Sequence, residues 1–230
     1  MTATPFWVVL PAAGIGSRMR ADRPKQYLRL GDRALIEHTL ECFLDQPGLR
    51  GLVVCIAPHD QWWAQLGCAS DTRIWRAEGG VERADSVLAG LERLLTEGAS
   101  ADDWVLVHDA ARPNLAASDL HHLLTTLACD PVGGLLAVPV RDTLKCTDGL
   151  GRVASTPDRS LFWQAFTPQM FRLGPLHAAL TDALAAGVAI TDESSAMERA
   201  GYAPRMVEGR SDNIKVTCPE DLEWLERLRR

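Results

Sequence analysis

The sequence predicts an α/β fold, a doubly wound and mainly parallel sheet with helices on both faces, from which a β-hairpin arm projects. Three observations carry this. Short apolar runs bounded by polar residues recur up to residue 140, segments of helical period separate most of them, and the rhythm then breaks into a stretch with little apolar content. Strands alternating with helices imply right-handed βαβ units.

Taken in order, the strand candidates are FWVVL (6–10), LVVCIA (52–57), RIWRAE (73–78), WVLVHD (104–109) and GLLAVPV (134–140). LIEHTLECFLDQ, ADSVLAGLERLLTEG and SDLHHLLTTLACD supply the helical spacing between them. Residues 139–158 contain an Asp-Gly turn signal with alternation on either side, which predicts the hairpin arm. A helix at LGPLHAALTDALAAG, a helix at DESSAMERAG, short strands at RMVEG and IKVT, and a C-terminal helix started by Pro219 complete the chain. The whole of 1–230 reads as one domain carrying the 139–158 arm, without internal repeats.

The 230 residues are 47% hydrophobic and 23% charged, the range of an ordinary globular chain. A formal charge of −6 gives no long-range pull toward nucleic acid or an anionic membrane, so an anionic ligand must be held by a local cluster of cations. No apolar stretch approaches the roughly 18 residues needed to span a bilayer. The six cysteines form no C-x-x-C pair and the N-terminus lacks a basic targeting region, which predicts a reduced, cytoplasmic protein without disulfides or zinc. Of 24 basic residues only Lys25, Lys145 and Lys215 are lysines.

In open α/β sheets ligands bind beyond the carboxyl ends of the strands. The first strand runs into VVLPAAGIGSRMRADRPKQYLRL (8–30). A dinucleotide fingerprint fails because its third glycine position is Met19, and no Walker A sequence exists in the chain. Gly14 and Gly16 alone fit an ordinary βα turn as well as a phosphate cradle; Arg18 and Lys25 add the charge a triphosphate needs. EGGVERADSVLAGL (78–91) puts a glycine pair before a helix beginning near Val81, suited to a flat or anionic ligand or simply to a tight turn. VLVHDAARP (105–113) ends a strand in Asp109, a carboxylate placed for Mg²⁺ whose one cationic neighbour in the motif is Arg112. His108 fits either a general base or a hydrogen-bonded structural residue.

Together PAAGIGSRM, PKQYL, RADSVLAGL, HDAARP and DNIKVT, in this order, resemble the 2-C-methyl-D-erythritol 4-phosphate cytidylyltransferase family from Val8 to Leu225. The resemblance implies a Rossmann-like nucleotidyltransferase fold and synthesis of CDP-methylerythritol and pyrophosphate from CTP and methylerythritol phosphate. It implies that Arg18 and Lys25 stabilise the transition state and that Ala12, Ala13, Gly14, Gly16, Gly80, Ser86 and Lys215 meet CTP, Gly80 and Ser86 holding the cytosine. Asp109 would bind magnesium; Arg112, Thr143, Arg159, Thr167, Thr191 and Lys215 would surround the polyol phosphate. A homodimer is implied, with the arm of one subunit reaching the site of the other. Val81 departs from the pattern, since family members often carry a polar residue there.

Two alternatives stay open at this level. One is a cytidylyltransferase for another polyol phosphate, such as ribitol phosphate. The other is a nucleotide-binding module without catalysis, against which the set Arg18, Lys25, Asp109 and Lys215 argues.

Overall fold

A computed structural model describes residues 3–14, 19 and 22–228. Strand β1 (Phe6–Pro11) divides its side chains between two cores: Phe6, Val8 and Leu10 enter one cluster, Trp7 and Val9 the other. The antiparallel pair β2 (Arg29–Leu30) and β3 (Arg33–Ala34) turns at Gly31, whose φ of +66° suits a residue without a Cβ. The chain continues through α1 (Leu35–Leu44), β4 (Leu49–Ile56), β5 (Ile74–Glu78), α2 (Arg83–Thr96), β6 (Trp104–Val107), α3 (Ala117–Leu127) and β7 (Gly133–Pro139).

The arm is the antiparallel pair β8 (Cys146–Thr147) and β9 (Val153–Ser155), all of it exposed. After β10 (Trp163–Arg172) come α4 (Leu173–Ala185), α5 (Glu193–Arg199), β11 (Arg205–Glu208) and α6 (Pro219–Leu228). Seven strands form one sheet in the order β11-β7-β10-β6-β1-β4-β5, in which β10 alone runs antiparallel to its neighbours. Helices α1 and α3 cover one face through Ile36, Leu40, Phe43, Leu120 and Leu123. The opposite face is covered by α2, α4 and α5 through Val87, Leu91, Leu176, Leu180 and Met197.

Two expectations need correction, and one strand stands where none was expected. The sequence singles out no strand over 163–172, because Pro168 interrupts its pattern; the ladder accommodates that proline through a register shift between Ala165 and Gln169. IKVT forms no strand. Its Val216 N–H bonds the Ala111 carbonyl and its side chain packs into a third small core beneath α6, with Leu30, Leu35 and Leu225. Helix α2 starts at Arg83 rather than near Val81, since Glu82 is its N-cap and donates its backbone N–H to the Asp85 carboxylate.

The chain passes from β1 to β4 and β5 on one side, then returns to β6 on the other side of β1. The crevice therefore opens between the carboxyl ends of β1 and β6, where Ala12–Gly14 and His108–Asp109 follow.

Candidate active site

The pocket in that crevice has a volume of about 160 Å³ and is walled by three segments: Pro11–Gly14 after β1, Gly80–Arg83 leading into α2, and Asp109–Ala111 after β6. Lys25, Gln26, Ser86 and Lys215 close it. Close packing draws the first two walls together: a Cβ on Gly79 would lie 2.3 Å from the Ala13 Cβ, so only glycine permits this approach. Gly90 plays the same part farther along α2, where a Cβ would come 2.5 Å from Val9 and 2.9 Å from Cys55 Sγ. At the pocket wall the Gly80 N–H donates to Ser86 Oγ at 3.1 Å.

Asp109 is the electrostatic centre. Its Oδ1 accepts from Arg83 Nε at 3.0 Å, and its Oδ2 accepts from Arg112 Nε at 3.2 Å and from Lys215 Nζ at 2.9 Å. Arg112 is its one cationic partner within the motif, as expected; the other two come from residues 26 positions upstream and 106 downstream, which no local motif reveals. Burial alone would raise the Asp109 pKa, but Arg83, Lys215 and Arg112 overcome it and hold the carboxyl well below the usual carboxylate range. Burial likewise disfavours the Arg83 cation, and the Glu193 and Asp109 carboxylates outweigh it.

The segment before α6 organises both lysines. Lys25 Nζ donates to the Val216 carbonyl at 3.2 Å, while the neighbouring Lys215 reaches Asp109. Arg112 Nη1 donates to the Asn213 carbonyl at 2.7 Å, and Asn213 Nδ2 donates to the Thr167 carbonyl at 2.8 Å. Gln26 Nε2 donates to the Ala12 carbonyl, anchoring the start of the 3-10 turn Lys25–Tyr27 to the end of β1.

His108 is fully buried. Its Nε2 lies 3.0 Å from the Arg112 carbonyl, which can only accept, so Nε2 carries the proton. Nδ1 then accepts from Thr167 Oγ1 at 3.0 Å, and that hydroxyl accepts from the Asp109 N–H at 3.1 Å. Burial pushes the His108 pKa down to about 4. With both nitrogens engaged and the ring neutral, His108 supports the Asp109 loop; of its two sequence readings, the structural one holds.

Of the sequence-derived candidates, Ala12, Ala13, Gly14, Lys25, Gly80, Ser86, Asp109 and Lys215 line the pocket. Arg112 and Thr167 bond the Asp109 loop from behind it. Thr191 lies just before α5, where its hydroxyl meets Ser195 Oγ. Thr143 and Arg159 belong to the exposed arm region, Arg159 donating to the Arg141 carbonyl. Gly16 and Arg18 lie outside the described residues. Sequence reasoning missed Arg83, Gln26, Asn213 and Glu193. Arg83 and Glu193 stand inside the motifs ERADS and TDESS, but the signal, a charge at a helix start, is indistinguishable there from a surface residue.

For magnesium the donor set is sparse. Among the described residues no three His, Cys, Asp or Glu side chains form a metal cluster. Of the roughly four lone-pair sites of the Asp109 carboxylate, the described residues take three, which among them leaves one on Oδ1. A single carboxylate oxygen completed by phosphate oxygens and water is an ordinary magnesium environment, so the residues fit an ion that arrives with a triphosphate.

Residues 6–228 match the protein family described as 2-C-methyl-D-erythritol 4-phosphate cytidylyltransferase. The enzyme of that name from Pseudomonas paraeruginosa is 69% identical over 222 residues, covering 96% of this chain and 95% of its own. A crystal structure of 4-diphosphocytidyl-2C-methyl-D-erythritol synthase superposes with a TM-score of 0.85 at 36% identity, covering 99% of both chains. The Francisella tularensis 2-C-methyl-D-erythritol 4-phosphate cytidylyltransferase gives 0.82 at 34% identity, over 97% of this chain and 99% of that one. No described helix is long and apolar enough to cross a membrane.

Proposed function

The chain belongs to the 2-C-methyl-D-erythritol 4-phosphate cytidylyltransferase family, and from that premise we propose that its crevice transfers CMP from CTP to methylerythritol phosphate. An oxygen of the substrate phosphate attacks the α-phosphorus, the bond from that phosphorus to the β-phosphate oxygen breaks in line, and pyrophosphate leaves. Both reactants are anions, so positioning and charge neutralisation dominate the barrier. The nucleophile needs no strong base, because the second pKa of a phosphate monoester is about 6 and it is largely dianionic at neutral pH.

The observation that carries this reading is the cation cluster Arg83, Arg112 and Lys215 around Asp109, with Lys25 beside it and a neutral, fully bonded His108 behind. Such a site supplies charge and orientation rather than proton transfer. Lys25, with Arg18, stabilises charge on the transferring phosphoryl group. The Ala12–Gly14 wall and the Gly80–Ser86 turn receive the nucleotide; Arg112, Thr143, Arg159, Thr167, Thr191 and Lys215 receive the polyol phosphate. Asp109 would hold magnesium, whose chemistry there would be to neutralise part of the phosphate charge.

The protein works as a homodimer in this proposal. Leu150, Val153, Leu161 and Phe162 are 82%, 62%, 79% and 42% exposed on and beside an arm that has no core of its own, which supports a partner surface for it. A cytoplasmic setting is supported by six free cysteines. The test is pyrophosphate release with CTP and magnesium, comparing methylerythritol phosphate with ribitol phosphate. Turnover with the first well above the second is expected; the reverse preference reassigns the substrate, and release with neither defeats the reading.

A further inference from the structure

Glu193 opens α5, and its side chain is 1% exposed. An ionised carboxylate at that depth is costly unless it is paired and hydrogen-bonded. Here it receives a two-pronged grip from Arg83, with Nη1 to Oε1 at 2.6 Å and Nη2 to Oε2 at 3.1 Å. The same guanidinium places its Nε on Asp109. Glu193, Arg83 and Asp109 thus form a continuous chain from the start of α5, across the start of α2, to the end of β6.

A merely structural link between α2 and α5 would not need this chemistry. Buried ion pairs are often no more stabilising than apolar side chains of similar volume, and α2 and α5 already share one apolar core with α4, to which Val87, Leu91, Leu176 and Met197 belong. What the ion pair adds is orientation. Of the five N–H donors of an arginine, Glu193 takes two and Asp109 one. Among the described residues two remain without a partner, on a side chain that lines the pocket and is 26% exposed.

Glu193 is itself held from the acceptor side of the crevice. The Ser194 N–H donates to Gln169 Oε1 at 2.7 Å, and Gln169 Nε2 donates to Asp192 Oδ2 at 2.9 Å. Gln169 follows Thr167 on β10 by two residues, and Thr191 precedes Glu193 by two. The elements assigned to the polyol phosphate therefore fix the carboxylate that fixes Arg83.

We propose that Glu193 is a positioning residue of the nucleotidyl transfer, acting through Arg83: it clamps the guanidinium so that the two remaining N–H groups meet the triphosphate in a single orientation. The proposal rests on reading the crevice as a CTP site. Charge makes it distinguishable from simple damage. Asp109 and Glu193 face Arg83, Arg112 and Lys215, so loss of the Glu193 charge makes the cluster more positive. CTP should bind at least as well while the reaction slows.

The test compares Glu193→Gln, Arg83→Gln and the double variant by steady-state kinetics, calorimetric CTP binding, thermal melting and NMR of the Arg83 Nε–H, assigned by its loss in Arg83→Lys. In Glu193→Gln, kcat should fall at least tenfold with the KM and Kd for CTP unchanged or lower, and the Arg83 Nε–H should lose its protection from solvent exchange. In the Arg83→Gln background the second substitution should change kcat less than twofold. The proposal is overturned by a Glu193→Gln kcat within twofold of wild type, by unaltered Nε–H protection, or by equal losses in both backgrounds. If Glu193→Gln does not fold, the double variant lacks the unpaired buried charge and decides against Arg83→Gln: equal kcat supports the proposal, unequal kcat overturns it. A wild type that releases no pyrophosphate defeats the activity assignment, while exchange protection and CTP binding still decide whether Glu193 holds Arg83.

Discussion

Lys215 Nζ sits 2.9 Å from Asp109 Oδ2, so two groups expected to face different ligands begin as partners of each other. Lys215 is the most exposed of the three cations on this carboxylate, its side chain 36% exposed against 26% for Arg83 and 9% for Arg112. Arg83 is anchored by Glu193 and Arg112 by the Asn213 carbonyl. Lys215 is thus the most accessible of the three partners.

Asp109→Asn should lower kcat on the order of 10²–10³-fold, the size of losing one charge-positioning group in a comparable site. It should also destabilise the fold by about 3 kcal/mol, because three partly or fully buried cations lose their shared counter-charge. Turnover across a magnesium titration, with denaturant melts, checks both. A variant as stable as wild type would show that the cations find other partners.

Stability should fall as pH drops from 6.5 to 4. The folded His108 pKa of about 4 lies below the ordinary 6.5, so in this window the unfolded chain binds a proton that the folded chain refuses. Above pH 6.5 the ring is neutral in both states and the effect vanishes. The full difference corresponds to roughly 3 kcal/mol. Urea melts of His108→Gln should show a flatter profile over the same range; a slope equal to wild type would assign the dependence to another group.

Lys25 should act on kcat more than on CTP affinity, and Lys25→Arg should remain at least about tenfold slow, since a planar fork cannot replace a compact ammonium beside the Val216 carbonyl. Amine-selective labelling read by mass spectrometry gives a second view. CTP with magnesium should protect Lys25 and leave exposed Lys145 reactive, while Lys215 should react slowly even without ligand because Asp109 already holds it. Lys25 labelling that ignores CTP would remove the triphosphate from this loop.

Gly79→Ala should raise the KM for CTP and cost about 1–3 kcal/mol in stability, the range for overpacking a close contact. The added methyl meets the Ala13 Cβ at 2.3 Å and must push two walls of the pocket apart. Unaltered melting would mean that the loops separate without effort.

A dimer at micromolar concentration is expected by sedimentation, and Leu161→Asp should shift it toward monomer while leaving the melting temperature of the sheet core unchanged, because Leu161 is 79% exposed. A wild-type monomer would leave the arm without the partner its apolar residues require.

The strands and helices that alternate along the chain were legible because their periodicity is local: β1 divides Phe6, Val8 and Leu10 from Trp7 and Val9 at every second residue, a signal present in six letters. The pocket walls were legible for a related reason, since glycines and cations follow strand ends in sequence as they do in space. Strand β10 was hidden by Pro168, because its place in the sheet is created by neighbours β6 and β7 rather than by its own pattern. Likewise IKVT has the composition of a strand, yet its Val216 is committed to the Ala111 carbonyl and the core under α6. The sequence by itself determined the class of fold, the location of the crevice and most of the residues that line it. The tertiary structure decided which charges meet: Arg83 with Glu193 across 110 positions, Lys215 with Asp109 across 106, and a histidine made neutral by burial. Coulomb energy and desolvation depend on distance and burial in the folded chain, and neither quantity is written in the order of the residues.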